Sequence, residues 1–205
     1  MNGVYVKQYF PPEYDKAEIL RYMAVDKSCS DDSIMALVDE CIAECDKNNV
    51  FSYNVCYTKL CVSVSECNVK IGEMNFKSNY FSNVLSSCDE AMIFAATLGI
   101  GIDRLTERYK IISPAKSLVF QAIGAERIEA LCDMFCDDIK KEYSDCENMS
   151  RFSPGYGDFD IGFQKEIFKL LNCPKNIGLS LCDSFIMSPS KSVSAIIGLK
   201  TKELT

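Results

Sequence analysis

The chain has 205 residues, 48% hydrophobic and 25% charged, which is an ordinary globular composition and excludes disordered and collagen-like classes. Its 22 Lys and Arg against 29 Asp and Glu give a formal charge of −7, which argues against a nucleic-acid partner. Histidine is absent, so the commonest general base and the commonest transition-metal ligand are missing. This excludes triad hydrolases and His-ligated metal enzymes.

The N-terminal part predicts two helices, a set of strands and a third helix. Apolar residues at helical spacing predict a helix over 13–25 and a second one whose apolar face runs through 34–42. From 50 to 74 the chain is rich in β-branched and aromatic residues with partial alternation, which predicts two or three antiparallel strands. Residues 79–88 predict another short helix.

The apolar run AMIFAATL at 91–98 predicts a central strand that is buried on both faces. It ends at Gly99-Ile-Gly101, and a helix follows. A strand, a glycine turn and a helix N-terminus can bind an anion, but a dinucleotide fingerprint needs a third glycine three residues after Gly101, and residues 102–105 contain none. We therefore interpret the glycines as a tight turn and Asp103 as a helix cap rather than a ligand carboxylate.

The longest helical pattern covers 114–143 and becomes strongly acidic, with eight carboxylates against three basic residues over 126–147. Such a face is typical of a solvated helix surface, and the alternative is that some of the carboxylates face a cation. A Gly/Pro-rich loop follows, and 162–171 predicts a short amphipathic helix. Three short strands are then predicted over 177–181, 184–187 and 193–199.

These elements predict an α+β fold built on a twisted, mainly antiparallel sheet with surrounding helices. No repeat, low-complexity tract or linker divides the chain, so we expect one domain over residues 1–205. Within it, 1–80 would supply helices and antiparallel strands, and 90–200 is the part that resembles the core of a known family.

Twelve cysteines suggest a disulfide framework at first, but the N-terminus has no apolar signal-peptide core. We therefore expect a cytoplasmic protein with reduced thiols, most of them acting as small core residues. The paired spacings of a zinc site are absent, so no metal site is predicted. The longest apolar run, 91–100, is much shorter than the roughly 20 residues of a membrane span, and no membrane association is expected.

The segment RFSPGYG, which begins at Arg151, carries the strongest signal for a ligand. A guanidinium at Arg151 can hold a carboxylate through two parallel hydrogen bonds. Pro154 fixes φ, whereas Gly155 and Gly157 let the backbone turn sharply and approach a ligand closely. Tyr156 adds a flat face and a hydroxyl. The alternative interpretation is an ordinary surface turn.

The R-x-x-x-G-Y pattern at Arg151, the S-F-x-M-x-P segment at 184–189 and the S-V-S segment at 192–194 occur in the order found in one family. They resemble the S-adenosylmethionine-binding activation domain of cobalamin-dependent methionine synthase. Upstream, FAATLGIGIDR at 94–104 and AERIEALCD at 125–133 are similar to the middle of the same family, in its free-standing bacterial form.

The resemblance implies a reactivation subunit that binds S-adenosylmethionine and supports reductive methylation of oxidised cobalamin on a partner. It would thus be a methyltransferase subunit with no catalytic residue of its own. The implied partners are a methionine synthase chain that carries cobalamin but lacks this domain, and flavodoxin or a similar electron donor. The implied ligand contacts are Arg151, Ser153, Gly155, Tyr156 and Glu129; Ser192 and Ser194 would face the cobalamin.

For Glu129 the resemblance leaves the register open, because direct alignment puts Ala130 at the position of the family glutamate. Phe185 and Met187 are interpreted as half-buried strand residues.

Two other functions stay open at this point. One is a non-catalytic S-adenosylmethionine sensor, or an adaptor for another corrinoid protein. The other is a structural or redox protein that uses its cysteines.

Overall fold

The computed structural model describes residues 3–10, 12–25, 31–148 and 150–202. The helices are α1 (Lys16–Tyr22), α2 (Asp32–Lys47), α3 (Asn79–Leu85), α4 (Gly101–Ile112), α5 (Pro114–Glu142), α6 (Gln164–Leu171) and α7 (Cys173–Ile177). The strands are β1 (Tyr5–Gln8), β2 (Asn54–Ser65), β3 (Asn68–Ile71), β4 (Met74–Lys77), β5 (Glu90–Thr97), β6 (Cys146–Asn148), β7 (Ser180–Leu181), β8 (Met187–Ser188) and β9 (Ser192–Thr201). A 3₁₀ turn, Ile161–Phe163, leads into α6.

Within the described ranges, seven strands form one sheet in which every pair is antiparallel. The strand order is β4-β3-β2-β5-β9-β6, with β1 also paired to β2, while β7 and β8 form a separate hairpin. Strand β5 lies between β2 and β9, and its residues from Ala91 to Thr97 are all buried. The predicted α+β fold with a mainly antiparallel sheet is therefore confirmed, and so is its central strand.

The two faces of the sheet pack against different helices, as the alternation of side chains along β5 shows. Met92 and Phe94 point to the face that α5 covers, where they join a cluster that includes Phe135. Ile93 and Ala95 point to the opposite face, where α3, α6 and α7 pack. Burial on both sides explains why β5 is apolar at every position rather than at every second one.

Helix α5 has a fully buried basic residue, Arg127, that attaches the N-terminal segment to the rest of the fold. Its guanidinium pairs with the buried carboxylate of Glu126 and donates to the carbonyl oxygens of Pro12 and Glu13, each at 2.6 Å. The ring of Tyr14 lies 4.2 Å from the same guanidinium. The charge of Arg127 is thus compensated on several sides, as a buried charge requires.

The segment 177–181 is not the strand that the sequence predicts. Helix α7 ends at Ile177, and only Ser180–Leu181 is extended. Pro174 lies in the first turn of α7, and Gly178 follows the helix with φ +66°. Proline near the start of a helix and glycine just after its end are common signals of helix boundaries. This short helix could therefore have been predicted from the sequence.

Several other strand assignments also differ from the sequence prediction. Phe185 lies in a turn with φ +61°, so its assignment to a strand is wrong, whereas half-buried Met187 is in β8 as predicted. Strands β1 and β6 were not predicted. All four residues of β1 are exposed, so the sequence carries no burial pattern there.

The glycines after β5 form a tight turn, as predicted, and pack closely on the chain before β2. A Cβ on Gly101 would lie 2.1 Å from the carbonyl oxygen of Val50, which leaves room only for glycine. The assignment of Asp103 as a helix cap is wrong, since α4 begins without a side-chain cap. Its carboxylate instead accepts hydrogen bonds from the backbone N and Oγ of Ser190, both at 2.7 Å.

The cysteines are mostly core residues, as the sequence suggests. Six of the eleven cysteines in the described ranges are buried: Cys41, Cys45, Cys56, Cys88, Cys132 and Cys173. Cys29 lies outside the described residues. No group of three or more possible metal ligands occurs among the residues that the structure describes. In the same ranges, no helix is both long and apolar enough to cross a bilayer.

Candidate functional site

The loop that carries the predicted ligand contacts borders a cavity of about 470 Å³. This loop cavity is lined by Tyr80, Glu129, Arg151, Phe152, Ser153, Tyr156, Gly157 and Val193. The lining comes from α3, α5, β9 and the 151–160 loop, so elements distant in sequence meet there. Its size lies within the range that small-molecule sites occupy. The structure therefore brings Glu129, Arg151, Ser153 and Tyr156 together at one site.

The 151–160 loop is attached to the sheet through Phe152. Its backbone N and O pair with the O and N of Ile196 in β9, at 2.9 and 2.8 Å. Its ring packs edge-on against Tyr80 and Phe81 of α3, with centroids 5.6 and 5.3 Å away. Arg151 and Ser153 thus flank a fixed residue, which holds both next to the cavity.

Gly155 shapes the loop from outside the cavity lining. Its backbone N donates to the carbonyl oxygen of Phe159 at 2.8 Å, and its φ is +98°. Residues with a Cβ rarely adopt this conformation. Gly155 is therefore placed to determine the path of the loop rather than to line the loop cavity.

Gly155→Ala is expected to destabilise the protein by about 1–2 kcal/mol, because the positive φ is strained for alanine. The added Cβ would also lie 3.0 Å from Cδ1 of Ile161. Urea unfolding of this variant beside Gly157→Ala measures the effect. Gly157 has φ +59° and nothing within 4 Å of a Cβ, so its variant should lose less stability. Equal losses would contradict the assigned contact with Ile161.

The Arg151 guanidinium bridges two carboxylates of α5. Nη1 donates to Oδ1 of Asp133 at 2.8 Å, and Nη2 pairs with Glu129. Burial by itself would lower the pKa of Arg151, but the neighbouring acidic groups Cys132, Glu129 and Asp133 raise it above its usual value. The guanidinium is therefore held as a cation with a fixed orientation.

The spacing of Glu129 and Asp133 explains this bridge. Residues four positions apart lie on the same face of a helix, so both carboxylates point toward Arg151. Glu129 lines both the loop cavity and a second cavity, whereas Ala130 lines the second one.

The second cavity is strongly acidic and has a volume of about 420 Å³. Its carboxylates are those of Glu13, Asp15, Glu18, Glu126, Glu129, Asp133 and Asp137. Glu129 belongs to both cavities, so this acidic cavity adjoins the loop cavity. Part of the acidic face of α5 is therefore turned toward a cavity formed with the N-terminal segment.

The serines expected to face cobalamin have different positions. Ser194 is 1% exposed, so its side chain offers nothing to a partner, and the expectation is wrong for that side chain in this structure. Ser192 is half-buried, and its Oγ lies 2.8 Å from both Thr97 Oγ1 and the carbonyl oxygen of Pro189. The expectation came from the order of motifs in the sequence, which does not show that the packing of the sheet buries Ser194.

Sequence reasoning missed Tyr80 and Asp133 as site residues. Asp133 is recognisable in hindsight from its i,i+4 spacing to Glu129 on one helix. Tyr80 has no comparable signal, because it reaches the loop cavity only through the packing of α3 against the 151–160 loop.

A family model described as "Vitamin B12 dependent methionine synthase, activation domain" matches residues 77–203, which is more than half of the chain. The chain belongs to this activation-domain family. The match starts just before α3 and includes α5, the 151–160 loop and β9, so it contains every residue that lines the loop cavity.

The fold of this family member also resembles a solved structure. The crystal structure of the MetH reactivation domain bound to AdoHcy is similar with a TM-score of 0.73 and 14% sequence identity. The similarity covers 99% of this chain and 80% of that chain. At this level of identity the comparison shows a shared fold.

Proposed function

We propose that the chain binds S-adenosylmethionine in the loop cavity and supports reductive methylation of oxidised cobalamin on a partner methionine synthase. The observation that carries this proposal is that Arg151 and Glu129 line the loop cavity, with Asp133 paired to Arg151, in a member of the activation-domain family. The solved relative is bound to AdoHcy, which differs from S-adenosylmethionine by the transferred methyl group.

The amino-acid end of S-adenosylmethionine carries a carboxylate and an ammonium group, and the site offers a partner for each. Arg151 would bind the carboxylate through its planar fork. Glu129 and Asp133, which now pair with Arg151, would bind the ammonium group. Because the ligand brings both charges together, this exchange leaves neither Arg151 nor the carboxylates without a partner.

The adjoining acidic cavity favours a ligand with positive charge. S-adenosylmethionine also carries a sulfonium cation, and opposite charges attract over several ångströms in a partly buried site. The carboxylates of Glu13, Asp15 and Glu18 lie across this cavity from α5, so both cationic groups of the ligand would have carboxylates near them.

The edge of β9 supplies further hydrogen-bonding groups. The carbonyl oxygen of Lys191 accepts from the backbone N of Leu98, so Lys191 points its backbone groups toward β5. Backbone groups alternate in direction along a strand, so the odd-numbered residues of β9 face β5 and the even-numbered ones face the opposite edge of β9. Ile196 uses that edge to pair with Phe152. Ser194, two residues earlier, turns its N–H and C=O toward the same loop. Its backbone is therefore a better candidate ligand contact than its side chain.

The proposed role requires placement rather than a protein nucleophile. When bound, S-adenosylmethionine supplies an activated methyl group, and the nucleophile belongs to the partner's cobalamin. The chain would orient the ligand, compensate its charges and present it to the partner. The electron would come from flavodoxin or a similar donor. We also propose that the N-terminal segment belongs to the same domain, since Arg127 binds the carbonyl groups of Pro12 and Glu13.

The test combines this chain with a methionine synthase chain that lacks its activation domain and carries oxidised cobalamin. Reduced flavodoxin and S-adenosylmethionine labelled in its methyl group start the reaction. We expect label on the cobalamin and recovery of synthase activity only when this chain is present. Ligand binding without methyl transfer would contradict the reactivation role and support a sensor or an adaptor for another corrinoid protein.

A further inference from the structure

Asp158 joins the 151–160 loop to the first residues of α3. Its Oδ1 accepts from Oγ of Ser78 at 2.5 Å, and its Oδ2 accepts from the backbone N of Asn79 at 2.7 Å. The same Ser78 hydroxyl accepts from the backbone N of Phe81 and so caps the helix. These bonds, above all the one from Ser78, lower the pKa of Asp158 below its usual value. The carboxylate thus stays charged at neutral pH.

The two segments that Asp158 joins each provide an exposed tyrosine to the loop cavity. Tyr80 follows Asn79 in α3 and is 52% exposed, and Tyr156 lies two residues before Asp158 and is 72% exposed. Exposed aromatic side chains beside a cavity are suited to contact a flat ring, because they have large apolar faces and few rotatable bonds. The relative position of the two tyrosines depends on how the loop and the helix are joined.

We propose that Asp158 is a positioning residue that fixes Tyr80 and Tyr156 as two walls of one subsite for the flat purine ring of the ligand. The inference rests on the proposed function, because it assigns a purine nucleoside to the loop cavity. Asp158 itself touches no ligand. It acts by holding the loop against α3, so that the tyrosines are in place before the ligand arrives.

Without the hydrogen bonds to Asp158, the 151–160 loop would spend less time packed against α3, and the affinity for the ligand would fall. Apparent affinity falls by the fraction of molecules in the binding-competent state. If the loop of Asp158→Ala is docked one-tenth of the time, the apparent Kd rises about tenfold. The effect should appear with S-adenosylhomocysteine as well as S-adenosylmethionine, since both carry the same adenosine.

Calorimetric titration of the full chain with S-adenosylhomocysteine measures the change. We expect the Kd of Asp158→Ala to rise about tenfold, and that of Asp158→Asn, which keeps one acceptor oxygen, to rise less. Asp183→Ala is the matched control, since it removes the same charge from an exposed turn, and its Kd should stay within twofold. An unchanged Kd in both Asp158 variants would overturn the inference.

A double-mutant cycle separates positioning from a general loss of structure. If Asp158 acts through Tyr156, its substitution should have little further effect in a Tyr156→Ala background. The same test applies with Tyr80→Ala. Fully additive losses of affinity in both cycles would overturn the inference, because they would show that Asp158 acts independently of the tyrosines.

Hydrogen exchange of the ligand-free protein provides a readout that does not depend on the ligand. Asp158→Ala should increase the exchange rate of peptides that cover α3 and the 151–160 loop, with β5 unchanged. Unchanged exchange there would overturn the inference even if the wild type binds. If the wild type binds neither compound while exchange in the variant increases, the purine subsite and the proposed function both fail, and only the structural connection stands.

Discussion

Arg151→Ala is expected to weaken the binding of S-adenosylmethionine by about ten- to hundredfold. Hydrogen bonds to charged groups contribute roughly 1.5–3 kcal/mol each, and 1.4 kcal/mol corresponds to tenfold in Kd. The variant loses the bidentate partner of the ligand carboxylate and also leaves Glu129 and Asp133 close together without their shared cation. Calorimetric titration of the wild type and the variant under the same salt conditions gives the ratio.

Two further variants identify what Arg151 contributes. Arg151→Lys keeps the charge but loses the planar fork, so its Kd should lie between those of the wild type and Arg151→Ala. Arg108→Ala removes an exposed arginine from α4, far along the chain from the loop, and should leave the Kd within twofold. A Kd for Arg151→Ala within twofold of the wild type would contradict the assignment of the loop cavity as the ligand site.

Arg127→Met is expected to lower the free energy of unfolding by about 3–5 kcal/mol, the usual cost of removing one partner of a buried ion pair. Methionine leaves the buried Glu126 carboxylate without its cation and the carbonyl groups of Pro12 and Glu13 without their donor. Because small proteins are stabilised by only about 5–15 kcal/mol, this is a large fraction of the total. Urea unfolding followed by circular dichroism measures the loss.

Two matched variants show whether the loss of stability comes from the burial of the ion pair or from the loss of a charge. Arg21→Ala removes an arginine whose ion pair with Glu18 is largely exposed, with side-chain exposures of 57% and 45%, so its loss of stability should be small beside that of Arg127→Met. Replacing Glu126 and Arg127 together by Leu and Met removes both charges and should recover much of the stability. A loss below about 1.5 kcal/mol in Arg127→Met would contradict the account of a compensated buried charge.

The long elements of the fold were predictable because each has one dominant physical signal. The uninterrupted apolar run of β5 indicates burial on both faces, and the periodicity of α5 indicates a long amphipathic helix. Strand β1 and helix α7 were not predicted, each for a different reason. The residues of β1 are all exposed, whereas α7 has only five residues, and Ile177 and Gly178 fell inside a predicted strand.

The candidate site was only partly predictable. Arg151, Ser153 and Tyr156 are neighbours in sequence, so their placement at one cavity follows from a local motif. Glu129 and Asp133 join them only because α5 passes beside the loop, and Tyr80 joins them through α3. Contacts of this kind depend on tertiary packing, which local sequence patterns do not reveal.

Calorimetric titration of the wild-type chain with S-adenosylmethionine shows directly whether the loop cavity binds this ligand. We expect saturable binding of one molecule per chain, with competition by S-adenosylhomocysteine. We also expect that neutralising the carboxylates with Glu129→Gln and Asp133→Asn weakens this binding. Absence of saturable binding, or binding that does not change in the Arg151→Ala and carboxylate variants, would contradict the claim that the loop cavity is the ligand site.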